Sequence, residues 1–491
     1  MLIFYRRLSV LLLYFSGASL FWPCTTVFLL AYFLSNSSSF YTSVLYSAQR
    51  WCLTDSVSLF IVLLLFLIMF IAFLVSLEFG SYKLMTFVFM SLSFVCYQVF
   101  TTGHLFWLYF FYEASLIPIL YIIIKWGSYP ERSLRAIIIL VYTLVFGAPV
   151  LILIVYINQV YGCWGISYMS LSDSSFLFSL FVFLCFSVKL PIYGLHFWLP
   201  MAHVEAPTFG SVILARVLLK LGGVGLMRLS DLIRTFALKT VTLSYFMVFI
   251  IFSSLVCCYQ SDIKRLIAYS SVAHMIVIPF LVMSNNILAN QALILVMFLH
   301  GLSSTLLFIT VGTLYTMFSS RQLVLMRGLI LTSPLFRMLI IFTFLFTLSA
   351  PPFPSYVAEV FFIYSSYMLS PDMLYVILLF AFLGLVYNLN WLSRVLFSTS
   401  LNIVFVNSFL KFNQFYTTAL SFLSILPLLF IFFLLWWRSR LDVFFNKKVS
   451  VISESLWFTH SLVHIFFYCY LIQSSSLSLC SLLQFHSLSH F

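Results

Sequence analysis

Charge is what this chain lacks. Only 7% of its 491 residues are Asp, Glu, Lys or Arg, against about 25% in an ordinary soluble domain. Acids are the scarcest: 12 Asp and Glu stand against 24 Lys and Arg, a net charge of +12. Hydrophobic residues make up 63%, and a soluble fold has too little polar surface left to cover that much apolar side chain. A phosphate-binding glycine loop is missing too. Gly222, Gly223 and Gly225 meet Arg228 where G-x-G-x-x-G requires a third glycine, and no strand pattern precedes them. None of the nine cysteines falls in a C-x-x-C pair, which argues against an iron–sulfur cluster, a zinc site and a disulfide framework. Together these deficits exclude a soluble enzyme, a nucleic-acid binder and a disordered chain. A membrane β-barrel is disfavoured as well: its strands alternate every second residue, whereas 60–77 and 136–157 are almost continuously apolar.

What is present is a succession of apolar windows: 8–34, 56–77, 82–102, 104–125, 134–160, 176–198, 207–228, 240–260, 264–284, 288–317, 330–369, 374–398, 415–437 and 452–473. A membrane helix needs about 20 apolar residues, so the expected fold class is an all-α polytopic membrane protein with about 14 transmembrane helices. The prolines at 351, 352 and 354 predict two short spans or one broken helix in 330–369. Basic residues cluster in the connections, as at Arg132/Arg135, Lys264/Arg265 and Lys447/Lys448, which fits loop anchoring rather than nucleic-acid binding. They occur in several successive connections, so they assign no orientation. Arg6/Arg7 before an apolar run mimics a signal peptide, but the spans that follow favour a first membrane helix. No Arg- and Ser-rich transit peptide is visible. His486 and His490 in the Ser-rich tail are read as solvated or interfacial.

The informative residues are ionisable groups inside these spans. A charge at mid-bilayer costs a few kcal/mol and is by default a functional hypothesis, with a satisfied structural pair as the alternative. Glu113 lies midway through HLFWLYFFYEASLIPILYIIIKW, with Pro118 loosening the adjacent turn. Lys189 sits just before Pro191 and Gly194, where the helix is expected to break. Irregular backbone at membrane depth survives only beside protein or a water-filled cavity, and a lysine there suits proton transfer. Lys220 follows Arg216 by one turn, so the two cations share a face and oppose each other unless an acid intervenes. Arg216 itself reads best as an anchor or ion-pair partner. Glu359 closes the run APPFPSYVAE, just beyond a proline break. Two proline-interrupted spans, one in each half, are the sequence pointer to an internally repeated transporter with midplane sites. His300 sits mid-span beside Ser303, Ser304 and Thr305, and His196, His203 and His274 are weaker candidates for proton relay.

The run VKLPIYGLHFWLPMAHVEAPTFGSVILARVLLKLGGVGLMRL (188–229) closely resembles the core of the subunit 4 family of respiratory NADH:ubiquinone oxidoreductase, complex I. FYEASLIP with WGSYPER, SDIKRLIAYSSVAHM, LHGLSSTLLF and PPFPSYVAE follow in the family's order. The resemblance covers 105–400 well and the ends poorly. It implies two inverted five-helix repeats, each with a broken helix, and an antiporter-like core at 104–398 between N-terminal helices (1–103) and C-terminal helices with a tail (399–491). It implies a proton pathway whose positions match Glu113, Lys189, Lys220 and Glu359, with His196 and His300 as relay histidines. Two departures stand out: Arg216 occupies a position where small residues are usual, and Met201 one where a polar residue is usual.

The same resemblance implies that this chain binds no redox cofactor. NAD, FMN, iron–sulfur clusters and ubiquinone would be handled by the rest of the complex, while this chain moves protons on energy from quinone reduction elsewhere. Expected partners are the other complex I subunits, including antiporter-like subunits 2 and 5, and membrane lipid; a bound phospholipid is compatible with this setting, and nucleic acid is not expected. The expected location is the mitochondrial inner membrane, with the chain encoded in the organelle; a bacterial membrane is the alternative. The alternatives are a subunit of a multisubunit cation/proton antiporter, a plastid homologue of the complex, and a membrane scaffold that keeps its charges for packing.

Overall fold

The computed structural model describes residues 56–397, apart from 77–81, 128–129, 162–175, 193, 231–238, 285, 319, 327–333 and 352. The expected spans at 8–34, 415–437 and 452–473 and the histidine-bearing tail lie outside the described residues. Among the described residues the chain is helical, and an isolated antiparallel bridge joins Asp262 to Gln322.

The apolar windows become helices, and proline decides where they are interrupted. α1 (Ser56–Ser76) and α2 (Tyr82–Thr101) fill the first two described windows. The next divides at Ser115 into α3 (Leu105–Ala114) and α4 (Leu116–Trp126), because Pro118 has no N–H for the Ala114 carbonyl and its ring crowds that turn. α5 (Arg132–Tyr161) follows. α6 (Phe176–Lys189) stops at the lysine, since Pro191 cannot donate to the Ser187 carbonyl. Gly194, at φ +86, then supplies a left-handed turn that has no Cβ to clash. The chain re-enters as α7 (Trp198–Glu205).

α8 (Thr208–Ile213), a π-turn at Leu214–Leu218 and α9 (Leu219–Arg228) form one span. α10 (Lys239–Cys258), α11 (Ile263–Met275), α12 (Val277–Ser284) and α13 (Ile287–Phe318) come next. The Asp262 carboxylate caps α11 by accepting from the Lys264 backbone N–H at 3.0 Å. The α11/α12 break repeats the earlier logic, with Pro279 unable to serve the Met275 carbonyl. The 330–369 window holds two short helices, α14 (Pro334–Thr347) and α15 (Pro354–Tyr367), before α16 (Met373–Phe397).

Seven stretches among the described residues are long and apolar enough to cross a membrane. Their burial sorts them into centre and rim. The apolar part of Thr208–Arg228 is wholly buried, whereas only 28% of the corresponding part of α5 or α16 is. The central span packs on α1, α2, α6 and α13. Glycine permits that approach: a Cβ at Gly222 would stand 2.8 Å from the Phe186 carbonyl oxygen, and one at Gly225 would enter the Phe186 ring. At the end of the span the Arg228 guanidinium donates to the carbonyls of Val99 (2.9 Å), Phe100 and Thr102 (2.7 Å). It thereby satisfies the last-turn acceptors of α2, where the helix dipole favours a cation.

Candidate functional site

Each expected membrane charge sits where a helix is interrupted. Lys189 is the last residue of α6 and is buried. Its ammonium donates to the Tyr112 carbonyl and lies 3.3 Å from the centroid of the Tyr112 ring and 3.4 Å from Ser115 Oγ. The Tyr112 carbonyl belongs to the last turn of α3, where unpaired acceptors and the helix dipole concentrate negative potential. The ring face adds a cation–π contact. In turn the Tyr112 hydroxyl donates to the Cys185 carbonyl at 3.0 Å, which ties α3 to α6. Lys189 therefore touches residues on both sides of Glu113. The Glu113 carboxyl oxygens are buried and find no hydrogen-bond partner among the described residues. Among the described residues no ion pair within 4 Å joins the acid to the lysine.

Lys220 follows the π-turn and is fully buried. A π-turn displaces the α-helical hydrogen-bond register and leaves carbonyls less well used, and Lys220 Nζ donates to that of Ala215 at 3.2 Å. It also lies 3.2 Å from His300 Nδ1. The His300 ring stands 5.8 Å from the ring of His274, which meets Phe380 at 5.6 Å. Lysine and two histidines thus assemble from α9, α11 and α13. Arg216 lies within the π-turn, fully buried. Its Nη2 donates to the Leu302 carbonyl at 3.3 Å, while Nε and Nη1 find no hydrogen-bond partner among the described residues. No acid among the described residues pairs with it, so of the two readings, anchor and ion-pair partner, the described neighbourhood supplies only the carbonyl contact.

Glu359 lies in α15, one turn past Pro354, and is half-buried. Its Oε1 accepts from the Ser349 hydroxyl at 2.6 Å. His196 and His203 diverge: the first stacks on Phe197 at 4.4 Å, the second on Phe308 at 4.8 Å. Met201, the other departure, places its Sδ 2.7 Å from Nη1 of Arg135. That arginine also pairs with Glu131 at 2.7 Å and Glu205 at 3.9 Å.

This arrangement can be compared with known proteins. A family model described as NADH:quinone oxidoreductase/Mrp antiporter, TM, matches residues 102–384, more than half of the chain. The chain belongs to this family. Curated relatives at 35–41% identity are named NADH-ubiquinone oxidoreductase chain 4. That of Chondrus crispus is 35% identical over 370 residues, covering 72% of this chain and 74% of its own. Other alignments cover as little as 51% of the relative. Respiratory complex I from Thermus thermophilus with bound NADH contains a chain of the same fold, with TM-score 0.68 and 20% identity over 75% of this chain and 80% of that one. A chain of the Mrp complex from Dietzia sp. DQ12-45-1b gives TM-score 0.67 and 15% identity, over 80% and 78%.

Glu113, Lys189, His196, Lys220, His300 and Glu359 all fall inside the part of the chain that matches the NADH:quinone oxidoreductase/Mrp antiporter family. Sequence reading missed some of their neighbours. The Tyr112 carbonyl and Ser115 were signalled only indirectly, by Pro118. His274 was ranked low because nothing local brings it beside His300. Gly147 carried no signal: it lies on α5, 34 positions from the acid it faces. A Cβ there would stand 2.8 Å from Glu113 Oε1 and 3.3 Å from the Tyr109 hydroxyl. Gly147→Ala should therefore push the Glu113 carboxyl aside. A shift of the Glu113 carboxyl band in infrared difference spectra, identified with Glu113→Gln, checks this; an unmoved band in Gly147→Ala would contradict it.

Proposed function

We propose that this chain is the subunit 4 component of a proton-pumping NADH:ubiquinone oxidoreductase in the mitochondrial inner membrane. On this reading about fourteen helices contain two inverted repeats, with the described helices forming the translocating core. Glu113, Lys189, Lys220 and Glu359 pass protons, with His300 and His196 as relays. NADH, flavin, iron–sulfur clusters and quinone belong to other subunits, and subunits 2 and 5 are its neighbours in the membrane. The observation that carries this reading is the coincidence of titratable side chains with helix interruptions: Lys189 where α6 stops, Lys220 beyond the π-turn and Glu359 beyond the proline break. Interruptions free carbonyls that can hold a cation or water at membrane depth, and a chain of such sites can hand a proton from one to the next.

Lys220 supplies the test. At 3.2 Å from His300 Nδ1 the pair needs one donor and one acceptor, so a single proton can sit on either nitrogen. Lys220→Met removes that exchange and keeps an unbranched side chain of similar length. Proton flux by the purified complex in vesicles, driven by NADH oxidation, should fall at least about tenfold, as for loss of an acid–base group. Undiminished flux by the assembled variant would reject the pathway. The family also contains Mrp antiporters, so the native partners matter. Co-purification with NADH-oxidising subunits supports this reading; co-purification with antiporter subunits alone, together with cation-for-proton exchange, would replace it.

A further inference from the structure

α14 ends in a wrapped turn. The Ala350 N–H reaches back to the Leu345 carbonyl at 3.1 Å, and the Ser349 N–H to the Phe346 carbonyl at 3.4 Å. These are the two bonds of a Schellman cap, whose left-handed position normally carries glycine, sometimes asparagine. Here it carries Ser349, at φ +53, the one non-glycine residue at positive φ among those described. Serine there bears a Cβ clash that glycine would avoid. The neighbouring Ser355 hydroxyl donates to the same Phe346 carbonyl at 3.0 Å, which clips the start of α15 to the end of α14. Backbone strain at one position, retained where a better residue exists, points to a use for the side chain.

The use is visible. The strained backbone aims the buried Ser349 hydroxyl at Glu359 Oε1, 2.6 Å away, the short distance of a charge-assisted O–H···O bond. No hydrogen bond engages Oε2 among the described residues. We propose that Ser349 is a positioning residue for proton exchange at Glu359: it fixes Oε1 and leaves Oε2 as the oxygen that takes and releases the proton. The bond need not break as the acid cycles. Ser349 donates to the carboxylate when Oε2 is bare, and to the remaining carbonyl oxygen when Oε2 is protonated. One proton arrives at Oε2 and one leaves from it. The strain of the helix end thus goes into holding the carboxyl in one orientation across the break.

This proposal rests on the reading that Glu359 carries protons, and the experiment separates the two. Ser349→Gly, Ser349→Ala, Ser349→Asn and Glu359→Gln are made in the complete complex. Assembly is read on native gels, proton flux in vesicles, and the Glu359 carboxyl by infrared difference spectra in which the Glu359→Gln variant identifies its band. Glycine relieves the backbone and asparagine suits it, but only asparagine keeps a donor. The expected result is full assembly of Ser349→Gly with flux lowered about tenfold, the scale of one hydrogen bond to a charged group. The carboxyl band should shift in the Gly and Ala variants, and Ser349→Asn should retain most of the flux. Full flux in Ser349→Gly beside impaired Glu359→Gln would overturn the serine's role and leave the acid's intact. Equal losses in all three serine variants with an unmoved carboxyl band would also overturn it, reducing Ser349 to a structural cap. Full flux in assembled Glu359→Gln would remove the acid from the pathway, and the proposal with it.

Discussion

On the proposed pathway, Lys189→Met is expected to leave the complex assembled and to reduce its proton flux by more than about tenfold, the effect of deleting a group that takes and gives a proton. The local structure supports both halves of that result. Lys189 is fully buried, yet its ammonium is held by the Tyr112 carbonyl and ring and by Ser115 rather than by a carboxylate within 4 Å. Removing one partner of a buried ion pair is costly because it strands the other charge. Here no carboxylate within 4 Å is stranded, and the Tyr112 carbonyl still accepts from the Ser115 hydroxyl at 2.7 Å. Met keeps an unbranched chain that fills the space. What disappears is the one titratable group at the end of α6. Flux per assembled complex, normalised to the quinone reduced, is the deciding measurement, and an assembled variant that pumps normally would take Lys189 out of the pathway.

The second large effect is on assembly. Gly225→Val should destabilise the subunit by about 3 kcal/mol, the upper end of ordinary overpacking, and strongly deplete the assembled complex on native gels. A Cβ at this position would enter the ring of Phe186, which is itself fully buried. The contact joins α9 to α6, the two helices that carry Lys220 and Lys189, so any accommodation spreads them apart. Gly384 provides the control. A Cβ there meets nothing within 4 Å, and Gly384→Ala should be neutral or stabilise by about 0.5–1 kcal/mol through the better helix propensity of alanine. Equal assembly of both variants would show that the α6/α9 contact tolerates expansion.

Much of this architecture was legible in the amino-acid sequence, and the reasons are local. Apolar windows gave the helices, since hydrophobicity over about 20 residues is a property of the segment alone. Prolines 118 and 191 signalled interruptions, because each withholds an N–H from a carbonyl four positions earlier; Pro279 does the same between α11 and α12, within a window the sequence reads as one span. Membrane depth made Glu113, Lys189, Lys220 and Glu359 conspicuous. Contacts made by tertiary packing were not legible. His274 meets His300 across two helices, and Gly147 faces Glu113 from a third. Nothing in TLSAPPF announces that Ser349, rather than a glycine, takes a left-handed turn. Among the described residues Arg216 donates to the Leu302 carbonyl rather than to an acid, an arrangement only a folded neighbourhood can reveal.

The π-turn at Leu214–Leu218 has a mechanical meaning as well. It accommodates one residue more than a regular helix of the same length would. Returning it to α-helical geometry would force one flanking segment to rotate by about 100° and translate by about 1.5 Å relative to the other. α8 and α9 are both enclosed by neighbours, so such a slip has to be taken up near the defect itself. Lys220 stands two residues beyond it. Migration of the π-turn past Lys220 would rotate only the residues in between, swinging the ammonium away from His300 while the distant ends of the span, among them the Arg228 clamp on α2, keep their places.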